Sequence, residues 1–222
     1  MKQRMLVITA GILIVAAAAL WQAAGGGVPL GRALAVPAQA PPGTVAFAID
    51  PQASSASYRV GETFFDGNRF NLAVGVTHGI QGDIYVDRAH PDASRIGPIT
   101  VNVNQLTSDS GRRDNAIRRH WLESDTYPTA TFTATSIEGL PKTYTAGQTA
   151  RVRIAGNLTV HNVTKPVVFA GTVKIDGNTL TGDVQTTVAM TDFGFDAPNI
   201  TILKTENKAL LDFQLTAHPA GE

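Results

Sequence analysis

From residue 45 onward the chain alternates apolar and polar residues with a period of two, run after run, with short turns between. In RFNLAVGVTHGIQGDIYVD, Phe70, Leu72, Val74 and Val76 share one parity, and Ile80, Ile84 and Val86 continue it. In RVRIAGNLTV the apolar set is Val152, Ile154, Leu158 and Val160. Past Lys165-Pro166 it is Val167, Phe169, Val173 and Ile175; past the turn Asp176-Gly177-Asn178 it is Leu180, Val184, Val188 and Met190. Leu211, Phe213 and Leu215 close the series, and GPITVNVN and TATFTATSI behave alike. Strands of this kind have one dry face and one wet face. Short turns make them antiparallel neighbours. The expected fold is all-β, a closed barrel or a sandwich of about eight strands. A barrel also removes the exposed edges that invite aggregation. Gly82, Gly156, Gly171 and Gly182 fall at inward parity. They either leave room inside or mark bends in coiled strands, so a hollow and a packed interior both stay open.

One segment breaks the pattern. In RRDNAIRRHWLESDTYPTATF, four arginines crowd together and Ile117 and Trp121 stand four apart, flanked by Ala116 and Leu122. That is one apolar stripe of a short helix, expected over 111–124, with Ser110 as its N-cap. Pro128 biases Tyr127 out of helical conformation and restarts extended chain. Such a helix lies across a barrel mouth or against its wall. Arg113 and Arg118 are candidates to touch a ligand's polar head group. The alternative is a solvated face with Arg113–Asp114 and Arg119–Glu123 as surface pairs. Phe64, Phe65, Phe193 and Phe195 read either as a lip at the entrance or as plugs beneath turns.

The segment ITVNVNQLTSDSGRRDNAIRRHWLESDTYPTATFTATSI resembles the central signature of the YceI-like family of polyisoprenoid-binding proteins. The matching residues are Arg113, Asp114, Leu122, Tyr127, Pro128, Ala130 and Phe132. AFAIDPQASSASYRV is similar to the family's opening strand and its Asp-x-x-x-Ser turn, GNLTVHNVTKPVVF to its Gly-x-Leu-Thr hairpin, and MTDFGFDAP to its Asp-Phe segment. Asn162 stands where the family often has Gly, and the helix-to-Tyr-Pro spacing is one residue shorter than in many relatives. The resemblance covers 46–217. It implies an antiparallel lipocalin-like β-barrel with a long apolar cavity for a polyisoprenoid, such as a quinone tail or prenyl lipid. It also implies export. Parity then nominates the cavity lining as Phe70, Leu72, Val74, Ile84, Val101, Val103, Ile117, Trp121, Phe132, Ile154, Phe169, Val188, Met190 and Phe213. A one-residue slip would invert any of these sets.

The N-terminus carries its own message. Lys2 and Arg4 precede twenty residues, 5–24, without a charge. That length spans a hydrocarbon core of about 30 Å, with the positive end held in the cytoplasm. Residues 1–24 are expected to be a signal anchor, with a cleaved signal peptide ending near Ala38-Gln39-Ala40 as the alternative. Residues 25–44, rich in Gly, Ala and Pro, read as a linker, and 45–222 as the barrel domain. The protein is therefore expected on the extracytoplasmic, periplasmic side, attached to the membrane through its N-terminal segment.

Composition removes several function classes. Lys2, Arg4 and Arg32 are the only charges before residue 45, leaving fifteen basic against eighteen acidic groups beyond it. A domain of net −3 is a poor partner for nucleic acid. With no cysteine there is no disulfide, thiolate site or thiol nucleophile. The five histidines are scattered, so no metal site is expected. Neither a nucleophile motif nor a paired acid and base appears, so no catalytic residue and no cofactor are expected. The leading expectation is non-enzymatic binding, for storage or transport, of a polyisoprenoid or similar long-chain lipid. The rivals are an isomerase or cyclase acting on a hydrophobic substrate in the same cavity, which needs ionisable groups facing inward, and a packed scaffold barrel. Oligomeric state is left open, a dimer included.

Overall fold

The computed structural model of the protein describes residues 40–221. The expected anchor at 1–24 and most of the linker at 25–44 lie outside the described residues. Within them, no helix is long and apolar enough to cross a membrane. The strands are β1 (Val45–Ile49), β2 (Ser55–Phe64), β3 (Arg69–Thr77), β4 (Ile80–Gln81), β5 (Asp83–Val86), β6 (Arg95–Ile96) and β7 (Ile99–Asn102). Then follow β8 (Thr129–Glu138), β9 (Thr149–Val160), β10 (Val163–Asp176), β11 (Thr179–Ala189), β12 (Asn199–Ile200) and β13 (Leu203–Pro219). The one α-helix among the described residues is α1 (Gly111–Ala116), between β7 and β8.

All pairings are antiparallel, and the sheet curls into a half-barrel. Its path runs β4-β7-β8-β9-β10-β11-β13-β1-β5-β6, with β2 pairing both β13 and β3. The long β13 is the hub: its first part pairs β2, its end pairs β1, and its other edge carries β11. The two flanks meet through little more than Ile80↔Val101, Gln81↔Thr100 and the bridge Val76↔Thr107. Strands are more numerous than expected because long runs are broken at His78-Gly79, at Gly82 and at Gly97-Pro98, where a turn, a bend or a missing donor interrupts the ladder.

One of those breaks overturns part of the expected lining. Thr77 is 2 % exposed and Ile80 is fully buried, so two inward residues stand three apart instead of two. The Ile80 amide donates to the His78 carbonyl (2.8 Å), a three-residue turn that adds one position to the strand. Ile80, Ile84 and Val86 keep their inward side, but everything before the turn is inverted. On β3 the inward residues are Ala73, Gly75 and Thr77. Phe70 and Leu72 are 66 % and 51 % exposed on the outer face, and Val74 shares that outer face. These three do not line the interior.

The β9–β10 turn explains the departure at Asn162. His161 and Asn162 both have positive φ, 49° and 65°. Asn reaches that region through its short polar side chain at less cost than other non-glycine residues. The hairpin therefore tolerates Asn where a glycine is commoner. The core inside the sheet is led by Phe47, Ile80, Phe169, Val152 and Leu158, all nearly or fully buried.

Candidate ligand-binding cavity

The inward faces do not meet across the middle. They leave a cavity of about 560 Å³, walled by β2, β7, β8, β9, β11 and β13, with α1 and the turn after it at one side. A second, smaller cavity of about 110 Å³ lies beyond it. Of the expected lining, Val101, Val103, Ile117, Trp121, Val188 and Met190 face the large cavity. Ile84, Ile154 and Phe169 face the small one, and Phe132 and Phe213 face both. The interior is thus hollow, which the glycine positions alone left undecided.

The helix is built as expected at its start and differently at its end. The Ser110 hydroxyl accepts from the Arg113 amide (3.4 Å) and caps α1. After Ala116 the backbone widens into a π-helical turn, Ile117–Trp121, in which the Leu122 amide donates to the Ile117 carbonyl (2.8 Å). A π-turn of this kind re-aims side chains and is common at functional sites. Here Ile117, Trp121 and Leu122 all reach the cavity. Trp121 Nε1 donates to the Asp196 carbonyl (3.0 Å), tying the helix to the loop before β12. That loop contributes Phe193, Phe195 and Pro198 to the wall. The Phe195 ring packs on His161 (5.4 Å between centroids), and His161 on Tyr127 (4.4 Å). Phe193 is a plug, 3 % exposed; Phe64 lines the cavity and Phe65 is exposed.

The interior is not wholly apolar. β2 reads Ala56, Tyr58, Val60, Glu62, Phe64 on its inward face, and Glu62 is 6 % exposed. Arg113 reaches it from α1: Nε donates to Oε1 (3.1 Å) and Nη2 to Oε2 (3.0 Å), a bidentate pair. Asn71 Nδ2 donates to the same Oε2 (3.0 Å). Arg113 also pairs with Asp109 and donates to Ser108 Oγ. Burial works against its charge, but hydrogen bonds to Glu62 and Asp109 outweigh that and hold the guanidinium above its ordinary pKa. Arg113 is therefore a fixed internal partner and not the loose surface pair with Asp114; Asp114 instead accepts from Ser108. Arg118 donates to the Leu106 carbonyl and to Asn115 and does not line the cavity. Glu123 lies near His161 (3.5 Å), not Arg119.

Three further groups complete this polar end. Arg112 is exposed and lines the cavity, and its side chain makes no hydrogen bond or ion pair with the described residues. Thr205, cross-strand from Glu62, is 7 % exposed, and its hydroxyl has no partner. Tyr58 lies across β3 at Gly75, where any Cβ would sit 2.2 Å from its ring. Sequence reasoning missed Arg112, Glu62 and Thr205 as lining. The legible signal was Glu62, a charge inside an apolar parity set; Thr205 comes just before a register shift that ends at Ala209 and has no such mark.

The sequence model of the YceI-like domain family matches residues 47–217. The chain belongs to the YceI-like family. A UPF0312 protein of Pseudomonas putida F1 is 32 % identical over 165 residues, 68 % of this chain and 82 % of that protein. Two solved structures share the fold. Burkholderia cenocepacia BcnA has a TM-score of 0.58 at 19 % identity, over 76 % of this chain and 99 % of its own. A polyisoprenoid binding domain from Saccharophagus degradans, implicated in plant cell wall breakdown, has a TM-score of 0.60 at 14 % identity, over 79 % and 99 %.

Two measurements check the polar end. The Arg113 and Glu62 side chains are 16 % and 8 % exposed, so removing either partner strands a buried charge. Arg113→Gln should lower stability by about 3 kcal/mol, seen as a lower denaturant midpoint at unchanged slope. The double variant with Glu62→Gln should recover much of that; a loss equal to the sum of the singles contradicts the pairing. Burial also pushes the Tyr58 phenol from 10.0 up to about 12, with Arg113 pulling partly the other way. Between those values the folded chain holds a proton the unfolded chain has lost, so stability should fall as pH rises from 10 to 12. Tyr58→Phe should flatten that decline, and an unchanged slope would refute the assignment.

Proposed function

We propose that this protein binds, without catalysis, a polyisoprenoid or similar long-chain amphiphile, storing or ferrying it at the outer face of a membrane. The observation that carries the reading is the 560 Å³ cavity, apolar along most of its wall and polar only at the α1 end. Each methylene moved from water into such a wall contributes about 0.8 kcal/mol, so a prenyl tail needs few polar contacts. The family's fold and its polyisoprenoid binding relative support the same class of ligand.

The ligand's head lies at the α1 end, where the Arg112 guanidinium and the Thr205 and Tyr58 hydroxyls line the wall with hydrogen-bonding capacity that no described residue uses. They replace Arg113 and Arg118 as head-group contacts, because both of those are committed to protein partners. Glu62 does not favour the isomerase or cyclase alternative. Three donors hold its two oxygens, which leaves it ill suited to take or give a proton. The apolar segment at 5–24 supports an anchored, exported protein, and the barrel would work on the extracytoplasmic side of that anchor.

Purification of the full chain from its native host tests this reading. The protein is expected in the membrane fraction, open to protease added outside the inner membrane, and native mass spectrometry should find it carrying an extractable prenyl lipid or quinone. A lipid-free protein with no affinity for prenyl quinones or polyprenols would sink the proposal.

A further inference from the structure

The two cavities are separated by side chains, not by backbone. Ile99, Phe132 and Phe213 face the large chamber on one side and the small one on the other. Phe169 stands behind the two phenylalanines, on the small chamber's side. Its ring meets Phe132 edge-on at 5.1 Å and Phe213 edge-on at 5.2 Å, with interplanar angles of 79° and 82°. Edge-to-face contacts of this geometry are favourable beyond the area they bury, and the three rings brace one another across β8, β10 and β13. Phe132 is 8 % exposed and Phe169 is 2 % exposed, so the partition is held in a packed interior where ring displacement is resisted. Beyond it the small chamber adds about a fifth of the large chamber's volume, and its lining is almost entirely aliphatic and aromatic. An empty apolar space of that kind forfeits contacts that a hydrocarbon would supply.

We propose that the Phe132–Phe169–Phe213 partition is a length stop: it selects ligands by tail length, and the small chamber behind it is a reserve binding site that opens only when a ring is removed. The inference rests on the reading of the cavity as a lipid site and specifies which lipids fit. A tail inserted from the α1 end runs along the large chamber until it meets Ile99, Phe132 and Phe213. Up to that point each added methylene exchanges water for apolar wall. Past it, further carbons must fold back or remain outside, and affinity stops rising.

The experiment is a calorimetric titration of the full chain with linear 1-alkanols lengthened one methylene at a time. For the unaltered protein, affinity should rise roughly four-fold per methylene and then level off. Phe213→Leu should move the plateau to longer alcohols and leave the shorter ones nearly unchanged. Gly182 gives a second variant that acts on the small chamber itself. It lines the small chamber, and a Cβ there meets nothing closer than 3.7 Å. Phe213→Leu combined with Gly182→Val should refill the reserve and return the plateau to its original length. A plateau that stays put in Phe213→Leu, or one that fails to return in the double variant, overturns the inference. So does an unaltered protein whose affinity climbs without levelling. If no alcohol or polyprenol binds at all, the lipid-site reading itself fails, which is a different outcome from a plateau in the wrong place.

Discussion

An antiparallel sheet with one apolar face has to hide that face from water, and the described residues form no second layer to hide it with. Among the described residues there is one α-helix of six residues. The sheet therefore covers itself. β13, seventeen residues long, makes that geometry work by pairing with β11 along one edge and with β2 and then β1 along the other. What the curl encloses then depends on how much side-chain volume points inward. Two small inward residues leave room: Ala73 of β3 at the large chamber and Gly182 of β11 at the small one. A Cβ at Gly182 would meet nothing closer than 3.7 Å, so that part of the interior stays open.

The opening is then given a direction by a few polar groups. α1 brings Arg113 to Glu62, a contact across fifty-one residues of sequence, and Asn71 completes the cluster. A buried ion pair of this kind is poor value as pure stabilisation, because desolvation offsets most of the attraction. Its consequence here is positional. It fastens the helix to β2, and with the Trp121–Asp196 bond it holds both sides of the cavity's polar end in place. The neighbouring Arg112 and Thr205 are left with unused donors facing the cavity. At the other end three phenylalanines close the wall with no polar atom among them. A polar end and a dry end in one chamber suit a molecule with a head and a tail.

Much of this was legible in the sequence, and the failures have definite causes. The strand faces of β9, β10 and β11 fall where alternation puts them, because those strands run unbroken and a period of two cannot drift. Ile117 and Trp121 reach the cavity because four residues make about one helical turn, and the π-turn only shifts their aim. Phe70, Leu72 and Val74 went to the wrong face because His78-Gly79 adds a position inside what reads as one strand. Nothing in RFNLAVGVTHGI marks that turn except Gly79, and Gly75 in the same stretch marks none. Glu62 could have been noticed as a charge in an apolar set, but its partner could not, since Arg113 lies on another element. Thr205 sits just before a register shift, where parity carries no information. The resemblance to the family's signature carried the fold further than periodicity did, and it said nothing about the partition.

The central claim is that the cavity holds a lipid with its head at α1 and its tail against the aromatic partition. The most direct test is a crystal structure of the protein purified from its native host, examined for electron density inside the sheet. The account predicts one continuous, elongated density that starts beside Arg112 and Thr205 and ends at Phe132 and Phe213. An interior collapsed onto itself without density, or a lipid lying on the outer face of β3, would contradict it.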